Sequence, residues 1–274
     1  MDTIKIFTTI RYDPELLKAP NQGFTGIGWN QNPSPFYMLD LHRDRMLNAA
    51  RHWRWPAAVQ GLEGDQGLTM LQDLLLKATG ERNHAHRVKV TLSKDGAFNL
   101  EVHPTPPKDL NNLFPTQLPA YPPEGVSQPT VRGLPAKTPE YEIFVNKEMT
   151  VASEFTHHKT THRPMYDEPR HQAGISPGDL KEVLLVNSSN GSVMEGSIST
   201  PYFWRNNRWV TPPVTSDFAV AQGDGGNNGT TRRWALGRNV VTEETVPADS
   251  LVNEEQCWIS NGVQGFVYGR VRLR

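Results

Sequence analysis

Val183-Leu184-Leu185-Val186-Asn187-Ser188-Ser189-Asn190-Gly191-Ser192-Val193-Met194-Glu195-Gly196-Ser197-Ile198-Ser199-Thr200-Pro201-Tyr202-Phe203-Trp204-Arg205-Asn206-Asn207-Arg208-Trp209-Val210-Thr211 is the stretch on which the fold is decided. An apolar run of strand length enters a cluster of turn residues at 187–192. A second run, 200–204, turns at Asn206-Asn207 into Trp209-Val210-Thr211. Two hairpins in succession predict a barrel or curled sheet. Strands near 256–260 and 266–273 close this part, and a helix beginning near Thr230 runs through Leu236.

Working outward, residues 4–11 alternate well enough for a strand. Apolar Leu41, Met46, Leu47, Ala50 and Trp53 with charges between them predict a helix capped by Asp40. A second helix is expected over 68–78, and 87–102 reads as a hairpin turning at Asp95-Gly96. From Pro104 to Pro139 the chain is dense in proline and lacks periodicity, so it cannot supply regular hydrogen-bond ladders. The expected class is α+β: a small α/β subdomain over 1–114, a connection over 115–138 and a larger, barrel-like, β-rich subdomain over 139–274.

With 274 residues, 28 of them basic and 29 acidic, the chain carries a net charge of -1. That length suits two packed subdomains. The charge balance offers no electrostatic footprint for nucleic acid or an anionic membrane, and small-molecule chemistry is expected instead. Cys257 is the only cysteine; it sits in a strand-like run as a buried, inert thiol, which fits a reducing compartment. No signal-peptide pattern opens the sequence and no apolar run approaches a membrane span, so a cytoplasmic location is expected.

Four segments carry the chemistry. They are His158-Lys159-Thr160-Thr161-His162-Arg163, Met194-Glu195-Gly196-Ser197, Gly225-Gly226-Asn227-Asn228-Gly229-Thr230-Thr231-Arg232 and Ser260-Asn261-Gly262. Pyridoxal phosphate needs a lysine, an anion-binding loop and an acidic partner for its ring nitrogen. Cationic neighbours of Lys159 would favour its neutral amine if it is buried. Glu195 is placed to pair with a buried cation. The glycine-rich loop leads into a helix start, where backbone N–H groups and the dipole favour a phosphate. Arg45, one turn after His42, is a bidentate phosphate ligand by type. His158 and His162 stand four apart, but no further ligand has suitable spacing, so no metal is expected.

On these residues the sequence resembles the class IV aminotransferases, the fold type IV pyridoxal phosphate enzymes, a group that includes branched-chain and D-amino acid aminotransferases, R-selective amine transaminases and 4-amino-4-deoxychorismate lyases. Phe7-Thr8-Thr9-Ile10-Arg11, Leu41-His42-Arg43-Asp44-Arg45-Met46, Tyr202-Phe203-Trp204 and Ile259-Ser260-Asn261-Gly262 carry it together with the segments above, and the subgroup most resembled is the fungal aminodeoxychorismate-lyase-like proteins. The resemblance implies Lys159 as the Schiff-base lysine and acid/base. It implies Glu195 as ring-nitrogen partner, and Arg45, Gly229, Thr230, Thr231, Asn261 and Gly262 around the phosphate. A homodimer is implied too. The sequence departs from the family in lacking the short strands before Phe7, in the Arg163-Pro164-Met165-Tyr166 that follows the lysine, and in Gly262 where many members have a hydroxyl.

The expected activity is amino transfer from an (R)-amine or D-amino acid donor to an oxo-acid acceptor such as pyruvate. The alternative is 4-amino-4-deoxychorismate lyase, releasing 4-aminobenzoate and pyruvate. A dicarboxylate would want cations such as Arg11 and Arg163, and an amine would want aromatic walls such as Phe7, Tyr12 or Trp209.

Overall fold

The computed structural model describes residues 4–22, 24, 34–120, 133–215, 217–218 and 225–273. Most of residues 23–33, and the middle of the connection over 115–138, lie outside these residues. Contacts divide the chain into two units, one formed by 1–110 with 158–162, the other by 111–157 with 163–274.

In the first unit, β1 (Ile6–Tyr12), β2 (His86–Leu92) and β3 (Phe98–Pro104) form an antiparallel sheet in the order β1-β2-β3. The β2–β3 turn carries Gly96 at φ 85, the left-handed backbone that glycine adopts without steric cost. Helices α1 (Leu39–His52), α2 (Pro56–Leu62) and α3 (Gly64–Thr79) complete the unit. Ile10, Val88, Val90 and Leu92 share one core with Met46, Ala50, Leu62, Leu71 and Leu75. The helix expected over 41–53 begins two residues earlier. Met38 takes the position before it, at φ 53, and Asp40 lies in the first turn, where its charge favours the helix dipole. The sequence reading missed α2, a short helix whose start is set by Pro56 at its first position.

The second unit opens at the helical turn α4 (Leu110–Leu113) and is built on an eight-stranded sheet. Its strands are β4 (Tyr141–Thr150), β5 (Lys181–Asn187), β6 (Val193–Gly196), β7 (Thr200–Arg205), β8 (Arg208–Thr211), β9 (Thr242–Glu243), β10 (Gln256–Asn261) and β11 (Gly265–Arg272). They run in the order β6-β5-β4-β11-β10-β7-β8-β9. β4 is parallel to both β5 and β11, whereas both hairpins of the stretch quoted first are antiparallel, as expected. Asn206 and Asn207 take φ 51 and 60, the two positive angles of the tight hairpin turn. Helices α5 (Glu154–His157), α6 (Pro164–Gln172) and α7 (Thr230–Gly237) supplement the sheet. Its core gathers Ile143, Leu184, Phe203, Val210, Cys257, Ile259 and Val271. Burial raises the Cys257 thiol well above its usual pKa, consistent with an inert core residue.

β4 escaped the sequence reading because its second half, Asn146-Lys147-Glu148-Met149, is mostly exposed and breaks the alternation. α6 escaped it because two prolines stand within nine residues. Among the described residues no helix is long and apolar enough to cross a membrane.

Gly67, in the first turn of α3, has no room for a side chain: a Cβ there would stand 2.2 Å from the carbonyl carbon of Leu62. Backbone cannot yield as a side-chain tip can. Replacing Gly67 with Ala should therefore lower stability by about 1–3 kcal/mol, outweighing the helix propensity of about 1 kcal/mol that alanine brings. Urea unfolding measures this, and an unchanged or raised midpoint would show that α2 and α3 can separate at little cost.

Candidate active site

In the first unit, residues 158–162 lie extended along the edge of β1 that β2 leaves open. The Phe7 amide donates to the Lys159 carbonyl at 3.0 Å, the Thr161 amide to the Lys5 carbonyl at 2.9 Å and the Lys5 amide to the Thr161 hydroxyl at 3.0 Å. Ile6 bridges Thr160 in antiparallel register. Lys159 is thus positioned by main-chain bonds at its own carbonyl and at the Thr161 amide, with the Thr161 hydroxyl adding a third. Its half-buried ammonium sits 4.8 Å from the centroid of the Phe7 ring. The preceding imidazole, His158, is buried against His52 at 4.4 Å and Trp53 at 5.0 Å between ring centroids. His162 is exposed. Along an extended segment His158 and His162 stand roughly 13 Å apart, too far to share an ion, where a helix would bring them within one turn. Among the described residues no group of three His, Cys, Asp or Glu side chains is placed to hold a metal.

Arg45 and His42, one turn apart on α1, meet at the buried hydroxyl of Thr8. Arg45 Nη2 donates to Thr8 Oγ1 at 2.7 Å, and Thr8 Oγ1 lies 2.7 Å from His42 Nδ1. Arg11 is fully buried; it donates to Asp13 at 2.6 Å and to the Pro106 carbonyl at 3.1 Å. Burial pulls its pKa below the usual arginine value, against the opposing pull of Asp13. Lys108 is lowered in the same way, by burial and then by the charge of Arg11.

In the second unit, Glu195 on β6 is buried with a donor at each oxygen. The Tyr166 hydroxyl stands 2.7 Å from Oε1, and the Asn227 amide donates to Oε2 at 3.2 Å. Asn227 is held in turn by its side-chain bond to the His157 carbonyl at 3.1 Å. Burial, and secondarily the charge of Glu195, raise the Tyr166 pKa well above the usual value. The phenol therefore remains a donor at any ordinary pH. Arg163, at the start of α6, lies over the Tyr166 ring at 4.4 Å and donates to the Ser197 carbonyl at 2.9 Å.

The glycine-rich loop packs tightly within this unit. A Cβ on Gly225 would fall 2.2 Å from that of Ala152, and one on Gly226 would fall 2.9 Å from the Met194 carbonyl oxygen. Glycine is needed here for close approach to the strand carrying Glu195, which brings the Asn227 amide to its carboxylate. Gly229 caps α7, and Thr230 and Thr231 are buried in its first turn. The Thr231 hydroxyl is 2.6 Å from that of Ser260, which is 2.7 Å from the Tyr202 phenol. Asn261 accepts the amides of Val263 and Gln264 at 3.0 and 2.9 Å, closing the turn that holds Gly262.

Each sequence-nominated residue thus has a place within its own unit: Lys159, Phe7, Arg11 and Arg45 in the first; Glu195, Arg163, Gly229, Thr230, Thr231, Asn261 and Gly262 in the second. Tyr166 and Asn227 were not nominated. No local pattern marks Tyr166, whose bond to Glu195 spans 29 residues of sequence.

The Tyr166 pKa fixes a dependence of stability on pH. A phenol whose folded pKa is raised stabilises the fold below the unfolded value of 10.0, and that contribution is lost as pH climbs from there toward the folded value. Unfolding midpoints should fall above pH 10, and Tyr166→Phe should flatten the fall. An unaltered alkaline limb in this variant, with Tyr202 left in place, would show that Tyr166 ionises in the folded protein.

Each unit by itself carries groups of the kinds that pyridoxal phosphate requires. The first has an amine at an aromatic ring and a guanidinium; the second has a buried carboxylate fixed by two donors and hydroxyls at a helix start. A profile of the family described as Amino-transferase class IV matches residues 22–270. The aminodeoxychorismate lyase of Saccharomyces cerevisiae is 24% identical over 230 residues, covering 76% of this chain and 57% of the yeast protein. The chain therefore spans little more than half the length of that relative. A candidate amino-acid aminotransferase from Mesorhizobium loti superimposes with TM-score 0.63 at 17% identity, over 98% of this chain and 99% of its own. A candidate branched-chain amino acid aminotransferase from Thermotoga maritima gives 0.62 at 16% identity, over 99% and 77%. These likenesses show the fold, an α+β arrangement with a curled mixed sheet. With the family profile matching nearly the whole sequence, the chain belongs to the class IV aminotransferases, a family of pyridoxal phosphate-dependent enzymes.

Proposed function

We propose that this chain moves an amino group from an (R)-amine or D-amino acid to an oxo acid such as pyruvate. Pyridoxal phosphate, when bound, supplies an electron sink for negative charge developing on the substrate carbon. Lys159 holds the cofactor, and its Nζ takes the proton from the carbon bearing the amine. Glu195, kept in place by Tyr166 and Asn227, is the ring-nitrogen partner. Arg45 supplies a cation for the phosphate, and Gly229, Thr230, Thr231, Asn261 and Gly262 supply N–H and hydroxyl donors. A cytoplasmic homodimer completes the reading.

The observation that carries the amine reading is the surroundings of Lys159. The ring of Phe7 lies beside its Nζ, whereas both cations nominated for a dicarboxylate are engaged within the fold: Arg11 by Asp13, and Arg163 by Ser197 and the Tyr166 ring. Similarity to the yeast aminodeoxychorismate lyase favours a second reading, release of 4-aminobenzoate and pyruvate from 4-amino-4-deoxychorismate.

The two readings separate in the visible spectrum of the purified protein with its cofactor. Loss of the band on adding (R)-1-phenylethylamine, with recovery on adding pyruvate, is the expected result. A band indifferent to the amine, together with 4-aminobenzoate released from 4-amino-4-deoxychorismate, would establish the lyase instead. Lys159→Ala should abolish both covalent cofactor retention and turnover, and appreciable turnover by that variant would sink either reading.

A further inference from the structure

Glu182, on β5, is 1 % exposed, and the chemistry above gives it no role. Its Oε1 accepts the amide of Val183 at 2.8 Å, the amide of Ser197 at 3.1 Å and the Ser197 hydroxyl at 2.5 Å. Its Oε2 accepts the amide of Ile198 at 3.3 Å and the Ser199 hydroxyl at 2.6 Å. All but one of these donors come from residues 197–199, the turn that begins two residues after Glu195. The outer side of this turn is held as well. Arg170 donates to the Ser197 hydroxyl at 2.9 Å and lies 3.6 Å from Glu182, and Arg163 donates to the Ser197 carbonyl. Gly196 lets the turn close, since a Cβ there would stand 2.6 Å from Ser199 Oγ and 3.1 Å from the carboxyl carbon of Glu182.

The strand ladder leaves this clasp something to do. On β5, Leu185 pairs with Glu195, but the next residue, Val186, pairs with Val193, so the register breaks beside Glu195. A bulge re-aims the side chains next to it, and a slip of one residue would send Glu195 to the opposite face. Regular pairing holds this carboxylate's strand on one side only, at Glu195 and Gly196. A buried carboxylate is also a poor choice for stability alone, because apolar residues of similar volume often serve as well.

We propose that Glu182 is a positioning residue for Glu195: by gathering the amides and hydroxyls of residues 197–199 it fixes the turn, and so the direction in which Glu195 presents its carboxylate. This rests on the reading of Glu195 as partner of the cofactor's ring nitrogen.

Glu182→Gln keeps the shape but sets an NH2 group against donors, and Ser199→Ala removes a single hydrogen bond should the first variant fold poorly. In protein freed of cofactor, amide hydrogen exchange at Ser197 and Ile198 should quicken by about 10- to 100-fold in Glu182→Gln, the scale of a lost bond to a charged group. It should quicken less in Ser199→Ala, while amides of β10 and β11 keep their protection. The dissociation constant for added pyridoxal phosphate, read by tryptophan fluorescence, should rise about tenfold in Glu182→Gln. The double variant with Glu195→Gln should bind no more weakly than Glu195→Gln alone. Unchanged exchange at Ser197 and Ile198, loss spread evenly through β10 and β11, or additive losses in the double variant would each overturn the proposal. Exchange without cofactor depends only on the clasp, so its failure is distinct from failure of the Glu195 reading. The latter would show as a Glu195→Gln protein with the parent's cofactor affinity and spectrum, which also removes the role Glu182 is proposed to serve.

Discussion

A carboxylate can leave water only where donors replace the water it loses, and the second unit is organised around two that have done so. Glu182 and Glu195 are both buried, on adjacent strands. Removing a neutral donor from a buried charge costs about 1.5–3 kcal/mol, so the elements that supply the donors are not interchangeable. This accounts for features that otherwise look unrelated. The glycine-rich loop carries residues without side chains where it approaches Met194, because the Asn227 amide must reach Glu195. The turn after β6 carries serines at 197 and 199, because Glu182 needs hydroxyls as well as amides. α6 is short, contains Pro169 and has no side-chain cap at its start. Its intrinsic propensity is poor; what holds it is a face of Arg163, Tyr166 and Arg170, each bonded to Glu195 or to the turn that follows it.

The first unit solves a different problem. A long, flexible side chain such as lysine loses much rotamer freedom when it is directed at one point, and it helps if the backbone beneath it does not move. Residues 158–162 achieve this by adding to the edge of β1. The main-chain bonds at Phe7, Lys5 and Thr161 flank Lys159 closely, and His158 is packed between His52 and Trp53. The added segment also covers an edge that would otherwise offer unpaired backbone groups to another chain.

The sequence was most legible where backbone chemistry is local. Asn206-Asn207 specifies its turn because asparagine tolerates positive φ, and Asp95-Gly96 does the same for the β2–β3 hairpin. The apolar spacing on α1 and α3 is that of one buried helix face. Legibility failed where tertiary contact overrides local preference. Proline normally ends a helix, so α6 could not be inferred from propensity, and the charged half of β4 hides a strand whose first half is core. Among candidate site residues, Lys159 and Glu195 stood out by their order along the chain. Tyr166 and Glu182 did not, because their importance lies in hydrogen bonds spanning 29 and 15 residues of sequence, which no local pattern encodes.

The arrangement of β1 also keeps its aromatic and cationic side chains apart. Phe7 and Arg11 are four residues apart and so share a face of the strand, but at about 3.3 Å per residue their Cα atoms are separated by roughly 13 Å. Phe7 is the residue whose ring meets the Lys159 amine. The guanidinium of Arg11 is already tied to Asp13 and the Pro106 carbonyl. Within the first unit, the group that borders the Lys159 amine is aromatic, and the buried cation on the same strand serves the fold: its bond to Asp13 fixes the end of β1, where the Asp13 carboxylate also accepts the amide of Glu15 as the chain turns away.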